Sequence, residues 1–280
     1  MLPAVARTSL LVALLAFAPK HALGAGKLDQ RHYDLQNTSP TALLGESAVA
    51  LGMLGGAWAV TGGPSARCWW CNSNGFDESL RNLLRANDPG PPALISHALS
   101  MGAIPAMSLI GLVGPAALDQ HWQRGLEDSW ILANTILVTT AIGDLVKHSI
   151  ARERPSFHHR VESVTEFATW PEQRNKSYFS LDTAWAFAIV SSAATLAYSR
   201  GYSTAPVIAA GGGVLAFGAG MLRIVGDAHW TTDVLSGAVI GTGIGIALPL
   251  LVHARQGRDA TTMQSPQASA SQLVTAAFAF

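Results

Sequence analysis

The chain has 280 residues, of which 49% are hydrophobic and only 13% charged, against about 25% charged residues in an ordinary soluble domain. Eighteen basic and eighteen acidic residues cancel to a net charge of zero, and there is no basic tract. That excludes a nucleic-acid binder steered by positive charge and points to a protein of the membrane.

Residues 1–24 carry Arg7, the apolar run SLLVALLAFAP and then HALGAG, with small residues at a cleavage position. This is the pattern of a secretory signal, and the run is shorter than the roughly twenty residues of a membrane span. A polar segment follows over 25–40. Six apolar segments are then predicted as helices, at 41–62, 92–118, 130–150, 181–199, 205–225 and 231–253. Several are rich in alanine and glycine, with Glu46, Pro105, Asp144 and Pro249 in or near them. A soluble all-helical core is therefore the alternative to a membrane bundle. Gly237, Gly241 and Gly245 recur at four-residue steps and predict a small-residue stripe where helices pack closely.

The two cysteines, Cys68 and Cys71, lie between the first two apolar segments in ARCWWCNSNGFDESLRNLLR. After an export signal, a local disulfide in an oxidising compartment is the leading reading. A redox-active pair is the alternative, and zinc needs more ligands than the sequence shows. Phe76, Leu80 and Leu84 fall on one face of the next segment with charges opposite, as in an interfacial helix or an amphipathic helix packed on the core. The polar loop Ser156–Lys176 carries His158, His159, Arg160, Glu162, Glu166, Arg174 and Lys176, and its length suits a lid. The tail 256–280 is predicted to be flexible.

Two distant stretches carry chemistry. KHSIARERP supplies Lys147 and Arg154-Pro155, and RIVGDAHWTTD supplies Arg223, His229 and Asp233. His229 and Asp233 stand at i and i+4, which on a helix places both on one face, so the carboxylate reaches one imidazole nitrogen and leaves the other free to attack. Phosphoryl transfer asks for positioning and positive charge, which Lys147, Arg154 and Arg223 provide. Alone, the first stretch also reads as a basic helix end at a membrane face, and the second as a satisfied helix pair.

At these residues the sequence resembles the type 2 phosphatidic acid phosphatase and vanadium haloperoxidase superfamily, whose signature is K-x6-R-P, then P-S-G-H, then S-R-x5-H-x3-D. The first block is complete, and the third is complete except for Leu222 at the serine. In SYFSLDTAWAFA, Phe179 stands at the proline of the middle block, Ser180 at the serine, Leu181 at the glycine and Asp182 at the histidine.

The resemblance implies an all-α, six-helix membrane bundle over 41–255 that uses neither metal nor cofactor. It implies a phosphatase acting on a phosphomonoester or pyrophosphate, of a lipid, through a phosphohistidine. In that scheme His229 attacks, Asp233 orients it, and Lys147, Arg154, Ser180, Leu181 and Arg223 hold the phosphate. Asp182 takes the place of the general acid, with His158 or His159 as other sources of a proton. One alternative is a membrane protein that binds phosphate without turning it over, and another is vanadate-dependent halide oxidation. The implied location is a bacterial envelope membrane, with the chain multi-pass and its active site facing the periplasm. Six spans after a cleaved signal place the site on the opposite side, unless the signal is retained or 41–62, with Glu46 and five glycines, does not span.

Overall fold

The computed structural model describes residues 40–61, 68–160 and 173–261. The signal pattern of 1–24, the polar segment up to residue 39, Glu162 and Glu166 of the long loop, and the tail beyond 261 lie outside the described residues. The regular structure is helical: α1 (Pro40–Thr61), α2 (Gly75–Leu84), α3 (Gly90–Leu118), α4 (Trp122–Ile150), α5 (Pro155–His158), α6 (Leu181–Ser199), α7 (Ala205–Val225) and α8 (Thr231–Thr261). α3 is continuous through a π-helical turn at Leu99–Ala103. The described residues thus form eight helices rather than six. The six apolar segments are the six long ones, and α2 and the single turn α5 are added at one end. α8 runs past residue 255, where the helical domain was expected to end.

α6 occupies the centre. Its inward residues, among them Ala186, Ile189, Ala193 and Leu196, pack in one core with Ile104 and Leu112 of α3, Ile131 and Leu132 of α4, and Ile208 and Ala216 of α7. α8 lies along α6 through the predicted glycine stripe. A Cβ on Gly237, Gly241 or Gly245 would collide with the main chain at Ser180, Ala184 or Ala188, so backbone meets backbone. α1 rests on α4, where Trp130 Nε1 donates to Ser47 Oγ at 2.6 Å and Ser47 Oγ to Asn134 Oδ1 at 3.1 Å.

α3, α4, α7 and the Thr231–Leu251 part of α8 are long and apolar enough to cross a membrane. Ile110, Val214, Phe217 and Val239 are each more than 60% exposed on them. Aqueous surfaces rarely carry so continuous an apolar face, so lipid is its natural solvent and the chain is a multi-pass membrane protein. At one end of the bundle, Arg200 ties α6 to Glu127 and Asp128 of α4 at 3.1 and 2.8 Å. At the other end, α4 and α7 finish while α3, α6 and α8 begin, and the polar residues of the three sequence blocks gather there.

Candidate active site

α4 ends on Ala151, whose left-handed conformation (φ 45°, ψ 49°) turns residues 152–154 across the end of the bundle. The crossing is held on both sides: Ser177 N donates to Arg152 O at 3.0 Å, Arg154 N to Arg174 O at 2.9 Å, and Glu153 N to Trp70 O at 3.2 Å. Lys147 is buried and its Nζ donates to Lys176 O at 2.7 Å. Arg154, also buried, donates from Nε to Gln173 O at 3.0 Å and from Nη1 to Ala228 O at 3.1 Å. The third cation, Arg223, comes from the last turn of α7, where Nη1 donates to Ala93 O at 3.3 Å.

His229 sits in the turn between α7 and α8, which the Arg223 carbonyl closes by accepting from Ala228 N and His229 N at 3.0 and 3.3 Å. Its Nδ1 lies 2.8 Å from the Ser177 carbonyl. A carbonyl only accepts, so Nδ1 carries the hydrogen and Nε2 keeps its lone pair. Nε2 lies 3.4 Å from Arg154 Nη1. Burial, followed by Arg154, Lys147 and Arg223, holds the His229 pKa well below its ordinary value. Burial and the nearby Arg223 likewise bring Arg154 down to about 10. The imidazole is therefore a neutral base among cations.

The expected hydrogen bond from His229 to Asp233 is not formed, because Nδ1 and Oδ2 are 3.7 Å apart. His229 precedes the helix, and Asp233 has other partners. As the third helical residue its Oδ2 accepts from Trp230 N at 3.0 Å, one half of a capping box. The same oxygen accepts from Ser177 Oγ, and Oδ1 from Arg152 Nη1, each at 2.5 Å. Asp233 thus places Ser177, and the Ser177 carbonyl places His229.

Arg152, which in the sequence reads only as part of a basic helix end, is the principal residue that the structure adds to the cluster. Fully buried, it also donates to Thr232 Oγ1 and Asp77 Oδ2, each at 2.7 Å, and its guanidinium lies 3.9 Å from the Trp70 ring centroid. Trp70 belongs to the short loop that the Cys68–Cys71 disulfide closes. α2 turns its polar side inward, contrary to an apolar face packed on core or lipid. Asp77 accepts from Thr232 N at 2.9 Å, Arg81 binds Asp227 through two bonds of 2.6 and 2.8 Å, and Phe76 is exposed.

The middle block is filled differently from its signature. Ser180 caps α6 and its N–H donates to Asp233 O at 3.0 Å, which joins the second and third blocks. Leu181 is matched by Gly143 of α4, where a Cβ would stand 2.6 Å from Leu181 Cδ1. Asp182 is buried, with Oδ2 3.2 Å from Arg223 Nη2 and Oδ1 2.7 Å from Nδ1 of His97 on α3. His97 gave no sequence signal beyond being a single histidine in an apolar segment.

His158 and His159 are not part of this cluster. They stack edge-on against Trp230, with His158 Nδ1 3.1 Å from Glu153 and His159 Nε2 3.2 Å from Glu78. Glu78, His158 and His159 bring ligand atoms within 4.8 Å of one another. These are the described residues with the donors to hold a metal, and they share no member with the cluster around His229.

Residues 128–257 match the family model of the PAP2 superfamily. The chain carries a PAP2 superfamily domain. The matched span runs from α4 into α8 and contains all three blocks, whereas α2 and His97 lie before it. Comparison with curated proteins gives no match. Among solved structures, the first transmembrane PAP2 type phosphatidylglycerolphosphate phosphatase from Bacillus subtilis is similar to this chain at 19% identity, over 78% of this chain and 96% of that one, with a TM-score of 0.42.

Proposed function

We propose that this PAP2 protein is a phosphatase that hydrolyses a phosphomonoester or pyrophosphate of a lipid through a phosphohistidine on His229. The observation that carries this is the state of the His229 ring. Its Nδ1–H is spent on the Ser177 carbonyl, and its Nε2 lone pair stands beside Arg154 with Lys147 and Arg223 in electrostatic reach. A neutral nucleophile inside a ring of fixed cations is what an approaching phosphoryl group requires.

In the first half-reaction Nε2 attacks phosphorus and the ester oxygen leaves. Lys147, Arg154 and Arg223 neutralise the phosphoryl oxygens, and the start of α6 at Leu181 offers a main-chain N–H and the helix dipole, the Ser180 N–H being held by Asp233 O. In the second half-reaction water attacks phosphorus and His229 is released. The apolar outer surface of the bundle keeps this end at the depth of lipid headgroups, which favours a lipid substrate. The disulfide loop lies on the same end through Trp70 and Arg152, in keeping with a site that faces the oxidising side of a bacterial envelope membrane.

A second reading is a phosphate-binding protein without turnover. It rests on Asp182, whose carboxylate is engaged by both Arg223 and His97. The two separate on full-length protein in detergent, assayed for phosphate release from phosphatidic acid, a phosphorylated isoprenoid and a lipid pyrophosphate. Wild type should release phosphate and yield an alkali-stable, acid-labile phosphoprotein, and His229→Ala should do neither. Equal release by His229→Ala would overturn the assignment, and phosphate binding with no release from any ester would select the second reading.

A further inference from the structure

Asp182 has both carboxylate oxygens occupied, one by Arg223 and one by an imidazole, so it holds no proton to give. A histidine nevertheless stands against it, delivered by another helix. Resting on the phosphatase reading above, we propose that His97 is the general acid and base of the reaction and that Asp182 is its positioning residue.

The geometry is that of a carboxylate holding an imidazole by one nitrogen so that the other works. His97 Nδ1 donates to Asp182 Oδ1 at 2.7 Å, which leaves the Nε2 proton as the one the ring can deliver. The Asp182 side chain is 12% exposed and that of His97 is 50% exposed, so the holder is buried while the held ring opens outward. Asp182 Oδ2 meets Arg223 Nη2 at 3.2 Å, and His97, Asp182 and Arg223 therefore form one continuous chain into the phosphate cradle.

α3 is fixed in the position this needs. Arg223 Nη1 also donates to Ala93 O, four residues before His97 and on the same helix face. Gly226 abuts the Ala93 main chain so closely that a Cβ would lie 2.8 Å from Ala93 N. One arginine thus sets the register of α3 and the orientation of Asp182 together. In this reading the middle block keeps its histidine function with the ring on α3 and the anchor on α6, while the Leu181 side chain fills the space that Gly143 leaves open on α4.

The proton balance is complete. As His229 Nε2 bonds to phosphorus and the P–O bond breaks, the Nε2–H of the His97 imidazolium goes to the leaving oxygen, and His97 becomes neutral. As water attacks the phosphohistidine, His97 Nε2 takes a water proton, the P–N bond breaks, and His229 and the His97 imidazolium are restored. One water is consumed, and the alcohol and phosphate leave.

The test compares leaving groups. Full-length wild type, His97→Gln and Asp182→Asn are assayed in detergent on phosphatidic acid, whose alkoxide must be protonated, and on 4-nitrophenyl phosphate, whose phenolate need not be. In phosphoenzyme formation, the half-reaction that precedes the shared hydrolysis of phosphohistidine, His97→Gln should lose about 10²–10⁴-fold in rate on the lipid and much less on the aryl ester, which also shows that the variant is folded. Asp182→Asn should repeat that selectivity at smaller size. Equal losses on both substrates, or none, in both variants would overturn the assignment while leaving the phosphatase standing. Wild type inactive on both esters would remove the phosphatase reading and this inference with it.

Discussion

The Ser177 carbonyl lies 2.8 Å from His229 Nδ1, and the hydroxyl of the same residue lies 2.5 Å from Asp233 Oδ2. One residue therefore relays the carboxylate to the imidazole, and the atom that fixes the tautomer is main chain, beyond the reach of side-chain substitution.

Ser177→Ala should consequently keep most of its turnover. It removes one hydrogen bond, with a net value of about 0.5–1.5 kcal/mol, and leaves the carbonyl in place. Asp233→Ala should be far worse, because it strips the buried Arg152 of an anion and Trp230 N of its acceptor. Breaking a buried pair costs about 3–5 kcal/mol, so loss of folded protein should accompany loss of activity. Thermal melts in detergent alongside kcat distinguish the two, and a Ser177→Ala variant as inactive as Asp233→Ala would show that the hydroxyl bond to Asp233, and not the main chain alone, holds the carbonyl against His229.

Gly143 and Leu181 predict a packing exchange. Gly143→Ala places a methyl group where Leu181 Cδ1 now lies and should destabilise by about 1–3 kcal/mol. Adding Leu181→Ala should recover most of that loss, since it empties the contested volume. If the two substitutions simply add in a double-mutant cycle, the pair is not coupled.

The long helices and the three cations were legible because they rest on local pattern. Apolar runs set α1, α3, α4, α6, α7 and α8, and the four-residue glycine spacing set the α6–α8 contact. What was illegible depends on partners far apart in sequence: Arg152 meets Asp77 and Asp233 across 75 and 81 positions, and His97 meets Asp182 across 85. Arg152 in ARER reads like any basic helix end until those carboxylates are in place. Local spacing also misled once, since i and i+4 puts His229 and Asp233 on one face only if both are helical, and His229 is not. The orientation of α2 was hidden for a related reason: amphipathicity shows two faces without saying which turns inward, and here buried ion pairs decide.

Those pairs make α2 a support for the site. Arg81→Ala leaves Asp227 buried with only Arg85, 3.3 Å away, as a cation. The expected cost is about 3 kcal/mol or somewhat less, because Arg85 remains. Limited proteolysis should then cut within Gly75–Leu84 sooner than in wild type, with turnover falling in parallel. An unchanged cleavage pattern would mean that α2 is held by contacts other than this pair.

His229 also fixes a direction of pH dependence. In the unfolded chain it titrates near 6.5, whereas in the folded protein burial and then Arg154, Lys147 and Arg223 keep its pKa well below that. Below about pH 6.5 the unfolded state binds a proton that the folded state refuses. Stability is therefore full above 6.5 and falls as the pH drops toward the lowered value, by at most about 1.4 kcal/mol per pH unit for one proton. His229→Gln removes this contribution and leaves the other histidines unchanged. Between pH 7 and 5 the melting temperature of wild type in detergent should therefore fall more steeply than that of His229→Gln, and formation of the phosphoenzyme should persist below pH 6.5. Parallel melting profiles would show that the folded protein protonates His229 as readily as the unfolded chain does, and its role as a neutral nucleophile would be lost.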